Sequence, residues 1–482
     1  MSTPESLAPD GVLAPRHGGP LVAASAALVV VGLLAAALAW ALALDPGIGL
    51  AGRWTLIAGL FLHAWRRRSL TAWIIVAMIV GAEIGHDWPA VGVGMRLLSL
   101  IFIRMIKTII APLLFATLVV GIAGHPNLKH VGRMGVKALV YFELVTTLAL
   151  LIGLGAINLT RAGVGVQPPP DLQAAGVGAV KQTLSDVVLH AFPENVAKAV
   201  AEGQVLQIVV FSVIFAVALS LLPEPKRRPL LSVAESLSET MFKFTNIVML
   251  FAPIGVGAAI AYTVGHMGLG ILVSLAKLLA TLYLALFAFL LFVLLPVALV
   301  ARVPLRRFLK AIAEPVSIAF ATTSSEAALP LAMERMEQLG VPRQTVAFVM
   351  PTGYSFNLDG STLYLALAAV FVAQAAGIPL SFPQQLAIVF TLMITSKGVA
   401  GVPRATLVIL LGTAASFGLP EWPILAILGI DELMDMARTS VNVIGNCLAT
   451  VVIARWAGEF PPSARTPAPA ALPVAVPGTP PQ

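Results

Sequence analysis

The chain has 482 residues, of which 58% are hydrophobic and 11% are charged, and its net charge is +7. Soluble domains carry about 25% charged residues, so this composition excludes a soluble protein and indicates several membrane-spanning helices. The basic residues lie in short loops between apolar segments, a pattern that sets membrane orientation and argues against nucleic-acid binding.

Apolar segments long enough to span a bilayer follow one another along most of the chain. We predict them near residues 21–44, 70–87, 93–123, 134–160, 204–222, 238–263, 269–301, 343–375 and 421–455. Residues 1–68 form an N-terminal extension with one membrane segment, or with two if residues 47–65 also cross. Residues 459–482 are rich in Pro and Ala and are predicted to be a disordered tail.

Clusters of Lys and Arg recur after every second membrane segment, which predicts that these loops are cytoplasmic. They lie at residues 66–68, 129–137, 226–228 and 302–310. The loops between them carry few basic residues. The alternation is consistent over six crossings and supports a single orientation for the chain.

Three later segments are too polar in their middles to be simple spans. Residues 308–339 are interrupted by ATTSSE at 321–326, and residues 383–419 by SKGVAGVP at 396–403. The segment at 343–375 is interrupted at 351–361 by PTGYSFNLDGS. Paired interruptions of this kind predict half-helices whose freed backbone surrounds a binding site, with two of the three segments forming re-entrant hairpins.

The last apolar segment carries a polar face made by Asp431, Asp435, Arg438, Asn442 and Asn446, which fall within an arc of about 80° on a helix. Charged groups inside a membrane are costly, so this face is the leading candidate site. Asp435 and Arg438 could form a structural pair, but the two amides continue the same face. We therefore favour recognition of a zwitterion with an additional carboxylate, such as an acidic amino acid.

Other polar residues inside apolar segments are candidates for ion binding. Asn357 and Asp359 offer hard oxygen ligands for an alkali cation, the alternative being a Gly-kinked helix with a paired aspartate. The serines at the first interruption would lie at a half-helix N-terminus that favours a carboxylate. Glu143 and Glu326 are either candidate proton carriers or structural acids.

These motifs, TSSEAALP at 323–330, PTGYSFNLDG at 351–360, the SKG and AGVP of the second interruption, and residues 431–446, closely resemble the dicarboxylate/amino acid:cation symporters. The resemblance covers about residues 69–458 and is strongest to bacterial proton/sodium–glutamate symporters. It implies eight helices and two re-entrant hairpins per protomer, a homotrimer, no cofactor, and elevator-type movement. Scaffold helices would lie at about 69–125 and 183–265, and a transport domain at about 133–165 and 269–458.

The same resemblance implies roles for individual residues. The substrate would contact Ser324, Ser325, Ser361, Val402, Asp435, Arg438, Thr439 and Asn442. Asp435 would bind the substrate ammonium, and Arg438 its side-chain carboxylate. Na⁺ or another co-transported cation would contact Thr146, Gly353, Ser355, Asn357, Asp359, Ser396, Lys397, Val399, Asn442 and Asn446. The second hairpin would act as the gate.

The resemblance also implies a function: import of glutamate or aspartate with H⁺ and/or Na⁺ across a bacterial plasma membrane, the C-terminus being cytoplasmic. Asn446 departs from the aspartate of sodium-coupled archaeal members and matches proton-coupled bacterial ones. Arg404 replaces a usual glycine and could alter the gate. A C4-dicarboxylate symporter is the alternative, but such members tend to lack an aspartate at the Asp435 position.

Two other classes of protein, a hydrolase and a channel, fit the sequence less well. An intramembrane serine hydrolase built on Ser355 would need a base, normally His, and the seven histidines all precede residue 267. A passive channel would not need closed hairpins around a site of substrate size. We therefore predict a transporter and not an enzyme.

Overall fold

The computed structural model describes residues 20–124, 128–166, 189, 192–202, 204–396 and 405–460. Within these ranges the chain folds into α-helices and connecting turns without a β-strand. The predicted fold class, an all-α protein with many membrane-length helices, is confirmed.

The N-terminal half of the described chain contains ten helices. They are α1 (Pro20–Ala41), α2 (Pro46–Arg67), α3 (Leu70–Asp87), α4 (Pro89–Gly94), α5 (Arg96–Ala123), α6 (Leu128–Thr160), α7 (Val196–Glu202), α8 (Val205–Ser220), α9 (Glu224–Met249) and α10 (Ala252–Met267). Helices α5, α8 and α9 share a core of small and branched side chains, formed by Val119, Ala123, Ala216, Leu219, Leu231 and Ala234. These three helices therefore form one packed group.

The C-terminal half continues with nine helices and one π-helical turn at Leu290–Leu294. They are α11 (Gly270–Phe289), α12 (Leu295–Val300), α13 (Leu305–Thr322), α14 (Ser325–Leu339), α15 (Arg343–Phe356), α16 (Asp359–Ala375), α17 (Phe382–Thr395), α18 (Ala405–Ser416) and α19 (Trp422–Ala457). Nearly every side chain of α16 and α19 is buried, so these two helices form the centre of this half.

Seven described helices are long and apolar enough to cross a membrane. They are Leu21–Ala41, Leu70–Asp87, Pro89–Ala123, Met134–Thr160, Gly270–Val300, Arg343–Ala375 and Trp422–Ala457. The predicted apolar segment at 238–263 is not a straight helix, because α9 and α10 meet there at a 51° bend. Pro253, in the first turn of α10, has no N–H to continue the α9 hydrogen bonds, so the chain turns at this point.

The predicted interruptions coincide with real helix breaks. Between α13 and α14, Thr323 adopts a left-handed conformation (φ 52°), and the Ser324 hydroxyl accepts from the Ala327 N–H at 3.3 Å. Between α15 and α16, Asn357 and Leu358 leave the helical conformation. Helices α17 and α18 form the second interrupted segment, and its tip, residues 397–404, lies outside the described residues.

The described residues up to 80 form one compact unit, and the described residues from 81 onward form a second. In the first unit, α1 and α2 are joined by a short turn in which the Asp45 carboxylate accepts from the Gly47 N–H at 2.6 Å. The two helices run antiparallel with their backbones close together. A Cβ on Gly52 would lie 2.6 Å from the Ala36 amide nitrogen, and one on Gly59 would lie 2.8 Å from the Val29 nitrogen.

In the second unit, α6 and α16 are also in close contact at a glycine of α6, Gly153. A Cβ on Gly153 would overlap the Leu363 carbonyl group, whereas one on Gly155 would meet no atom within 4 Å. We expect Gly153→Ala to lower the free energy of unfolding by about 1–3 kcal/mol through overpacking. Gly155→Ala, two residues along the same helix, is the control and should be neutral or stabilising. Thermal unfolding of the purified variants in detergent measures the difference, and equal stability would contradict the close contact.

Candidate functional site

Helix α19 buries the five polar side chains that mark the predicted site. Asp431, Asp435, Arg438, Asn442 and Asn446 are each at most 4% exposed. The helix packs against α13, α14, α15 and α16 and less extensively against α18, so all three broken segments contact it. The predicted helix is confirmed. Because burial of unpartnered polar groups is unfavourable, the contacts of these five residues determine what the site can bind.

Arg438 forms hydrogen bonds with both aspartates on the polar face of α19. Its Nη1 and Nη2 donate to the two carboxylate oxygens of Asp431 at 2.8 and 3.3 Å, and its Nε donates to Oδ1 of Asp435 at 2.9 Å. The Thr439 hydroxyl donates to the same Asp435 oxygen at 2.8 Å. With both carboxylates ionised, two negative groups surround one positive group, and the excess negative charge favours a further cation or ammonium.

Asp431 is paired with Arg438, a contact that was not predicted from the sequence. The sequence predicts that Asp431 lies on the polar face, and its position seven residues before Arg438 puts both side chains on the same side of the helix. No hydrogen-bond partner was assigned to it from the sequence. The Asp435–Arg438 pair, weighed from the sequence as an alternative to a substrate role, is also present. The two interpretations are compatible, because Asp431 forms two hydrogen bonds with the guanidinium independently of Asp435.

Tyr364 is a second contact that the sequence did not indicate. The guanidinium carbon of Arg438 lies 4.3 Å from the centre of the Tyr364 ring, and the tyrosine is fully buried. A desolvated cation over an aromatic face gains about 2 kcal/mol. The Tyr364 ring on α16 therefore stabilises the guanidinium. The carboxylates of Asp431 and Asp435, which lie on the same helix as Arg438, accept its hydrogen bonds.

Asn442 joins α19 to the first turn of α16. Its Oδ1 accepts from the backbone N–H groups of Gly360 at 2.8 Å and Ser361 at 3.2 Å, and its Nδ2 donates to the Ser361 hydroxyl at 2.9 Å. The first N–H groups of a helix lack partners within that helix, so the carboxamide caps α16. A Cβ on Gly360 would lie 2.8 Å from the Arg438 Cα, so only glycine permits this close approach.

Several side-chain and backbone oxygen atoms lie close together at the break between α15 and α16. Asn357 Nδ2 donates to Asp359 Oδ2 at 3.3 Å and to Asn446 Oδ1 at 3.2 Å, and the Asn357 N–H donates to the Gly353 carbonyl at 2.7 Å. The buried Oδ1 of Asn357 accepts no hydrogen bond from the described residues. A buried amide oxygen without a donor, beside an aspartate, is suited to a hard cation such as Na⁺. The residues present therefore fit an alkali-cation site.

The remaining predicted site residues lie in different surroundings. Thr146, Ser325, Ser361, Ser396 and Thr439 are buried. The candidate proton carriers Glu143 and Glu326 are exposed. In the described part of the chain, no hydrogen bond joins either tip serine, Ser324 or Ser325, to the polar face of α19. The side chain of Ser355 and the residues Lys397, Val399, Val402 and Arg404 lie outside the described residues.

A buried ion network flanked by broken helices, in a chain with many membrane-length helices, is typical of a transporter whose site lies within the membrane. The chain belongs to the sodium:dicarboxylate symporter family, whose model matches residues 70–456. It is therefore a multi-pass membrane transporter of the symporter type and not an enzyme. The predicted family is confirmed, and the hydrolase and channel alternatives are set aside.

Characterised relatives cover most of the chain. It is 42% identical to the proton/glutamate-aspartate symporter of Escherichia coli K12, over 81% of this chain and 94% of that protein. It is 40% identical to the proton/sodium-glutamate symport protein of Bacillus subtilis 168, over 82% and 94%. It is equally 42% identical to the C4-dicarboxylate transport protein of Leptothrix cholodnii, over 82% and 89%. Overall identity therefore does not separate the two substrate classes.

Proposed function

We propose that this protein imports acidic amino acids, glutamate or aspartate, together with H⁺ and/or Na⁺ across a bacterial plasma membrane. The observation that carries the proposal is the buried network in which Asp431 and Asp435 surround Arg438. Arg438 would bind the second carboxylate of the substrate, and Asp435 would bind its ammonium. Ser324, Ser325, Ser361, Val402, Thr439 and Asn442 would complete the substrate contacts.

Asp435 supports an amino acid over a C4-dicarboxylate. A dicarboxylate such as succinate has no cationic group, and an anionic side chain beside it would be repulsive. An amino acid presents an ammonium that this carboxylate attracts. Transport of C4-dicarboxylates is the alternative to test, because a C4-dicarboxylate transport protein is as similar to this chain as a glutamate-aspartate symporter is.

Purified protein in liposomes tests the substrate assignment directly. Radiolabelled glutamate, aspartate and succinate are offered under an imposed inward gradient of H⁺, of Na⁺, or of both. We expect accumulation of at least one of the two amino acids and little or no succinate. Accumulation of succinate without either amino acid would overturn the assignment.

The cluster of Gly353, Asn357, Asp359 and Asn446 supports a cation site, which Thr146, Ser355, Ser396, Lys397, Val399 and Asn442 would extend into further sites. Asn446 is neutral, so Asp359 is the only formal negative charge among these residues. A site with fewer carboxylates binds cations less tightly. We therefore propose that H⁺ drives uptake more strongly than Na⁺, with Glu143 and Glu326 as candidate proton carriers.

Asn446→Asp is expected to make uptake depend on Na⁺. The new carboxylate would lie close to Asp359, and two buried negative groups repel each other unless a cation lies between them. We expect Na⁺ to stimulate amino-acid uptake by the variant about tenfold, equivalent to about 1.4 kcal/mol. Asn446→Ser alters the side chain without adding charge and is the control. Equal Na⁺ responses in the two variants would contradict the proposal.

Helix packing supports the proposed division into a scaffold and a moving domain. Helices α8 and α9 both pack on α5, whereas α6 packs most extensively on α16, and α19 contacts α13 to α16 and, across the proposed boundary, α10. We propose that the first group forms a fixed scaffold, at about 69–125 and 183–265, and that residues 133–165 and 269–458 move as an elevator. We further propose a homotrimer and a cytoplasmic C-terminus.

A further inference from the structure

Three consecutive arginines end the N-terminal helical hairpin. Arg66 and Arg67 occupy the last turn of α2, and Arg68 follows in a left-handed conformation (φ 49°), its N–H donating to the Ala64 carbonyl at 2.9 Å. All three residues are exposed. None forms an ion pair with an acidic residue in the part of the chain that the structure describes. This short segment therefore presents three positive charges without local compensation.

A second basic triplet behaves differently. At the start of α9, Arg227 pairs with Glu224, and Arg228 pairs with Glu235 at 3.5 Å. The acidic partners lie on the same helix, so most of that positive charge is balanced within the protein. Among the described residues, the arginines at 66–68 have no acidic partner of this kind, which leaves them available to an external anion.

The arginines lie at one end of a membrane-length hairpin. Helix α1 has a mean hydropathy of 2.6, and only 11% of its apolar window is buried within the protein, as expected of a helix that faces lipid. Because α2 runs antiparallel to α1, its final turn returns to the level of residue 20, where α1 begins. With 22 residues, α1 is about 33 Å long, close to the hydrocarbon thickness of a bilayer. This places the arginines at a membrane surface.

Three aromatic side chains lie close together near this end of α2. The Trp73 ring lies edge-on to the rings of Phe61, at 4.9 Å between centroids, and Trp65, at 6.3 Å. Tryptophan is enriched at the boundary between lipid headgroups and hydrocarbon. An aromatic cluster adjoining an arginine triplet has the composition expected of a helix end embedded among lipid headgroups.

We propose that Arg66, Arg67 and Arg68 bind the phosphodiester groups of anionic phospholipids. The guanidinium group donates two parallel hydrogen bonds to phosphate oxygens, and its charge is attracted to a lipid with a net negative headgroup. Zwitterionic phosphatidylcholine carries the same phosphate but a compensating ammonium, so it should bind more weakly. The hairpin α1–α2 is then an anchor selective for anionic lipid, independent of the transport site.

Native mass spectrometry of the full-length detergent-solubilised protein tests this proposal. The protein is titrated with phosphatidylglycerol or phosphatidylcholine of identical chains, and the bound lipids are counted. Each interfacial arginine contributes a factor of about five, equivalent to about 1 kcal/mol. We expect the triple variant R66Q/R67Q/R68Q to bind phosphatidylglycerol at least tenfold more weakly than the unmodified protein, with phosphatidylcholine binding unchanged.

Two control variants separate the proposed site from charge and folding effects. K226Q/R227Q/R228Q removes the same number of positive charges and should retain phosphatidylglycerol. R66K/R67K/R68K preserves the charge but not the paired hydrogen bonds, so it should bind phosphatidylglycerol more tightly than R66Q/R67Q/R68Q does and more weakly than the unmodified protein does. Thermal unfolding of every variant verifies that the protein remains folded. Equal loss of phosphatidylglycerol in both glutamine triplets, or unchanged binding in R66Q/R67Q/R68Q, would overturn the proposal.

Discussion

Replacing Asp435 with serine is expected to abolish glutamate and aspartate uptake while permitting succinate uptake. The substitution removes the carboxylate proposed to bind the substrate ammonium, and losing one partner of a buried charge pair costs about 2–5 kcal/mol. The corresponding loss of amino-acid uptake is about 30-fold to several thousand-fold. Arg438 remains paired through its two hydrogen bonds to Asp431, so the site keeps its cation for a carboxylate.

The measurement is uptake of the three labelled compounds by liposomes containing the variant. Thr439→Val is a useful companion, because the Thr439 hydroxyl donates to Asp435 without contributing charge. It should weaken amino-acid uptake by a much smaller factor. If D435S transports glutamate as well as the unmodified protein does, Asp435 does not bind the ammonium. If it transports neither the amino acids nor succinate, the role of Asp435 is to position Arg438.

Replacing Asp431 with asparagine should impair recognition of the second carboxylate of the substrate. Asp431 accepts from both terminal nitrogens of Arg438, so it fixes the orientation of the guanidinium that is proposed to contact the substrate. Asparagine retains one acceptor oxygen but lacks the charge and the second acceptor. We expect the KM for aspartate to increase about 10- to 100-fold, equivalent to about 1.4–2.8 kcal/mol.

Competition assays distinguish this positioning effect from general damage. Inhibition of uptake by acidic amino acids should weaken in D431N, whereas inhibition by a neutral amino acid such as serine should change little. Glu432→Gln is the matched control, since Glu432 is an adjacent buried carboxylate to which Arg438 does not donate. Parallel loss of inhibition by acidic and neutral amino acids would show that Asp431 does not act through Arg438.

Most of the helical architecture was predictable from the order of residues. Long apolar segments predicted the spans, and the polar interruptions at 321–326 and 351–361 coincide with helix breaks. The bend between α9 and α10 was missed, although Pro253 was a visible signal. A helix can continue past proline if its neighbours compensate, so the residue alone does not decide whether the chain bends.

The contents of the site were predictable in part. The five polar residues of α19 share a face because the helical repeat fixes their angular positions, and each is buried as the sequence indicated. The pairing of Asp431 with Arg438 lies within one helix and follows from the same repeat. By contrast, the contact of Tyr364 with Arg438 and that of Asn357 with Asn446 join different helices.

The sequence by itself determined that this is a helical membrane transporter, which helices are broken, and which polar residues share one face of α19. Those features depend on local periodicity and on the high cost of placing polar groups in lipid. Only the tertiary structure decided that Tyr364 lies against the Arg438 guanidinium, that Asn442 caps α16, and that a buried oxygen of Asn357 accepts no hydrogen bond from the described residues. These contacts depend on the rotation and separation of neighbouring helices within about 1 Å, which residue spacing along one helix does not specify.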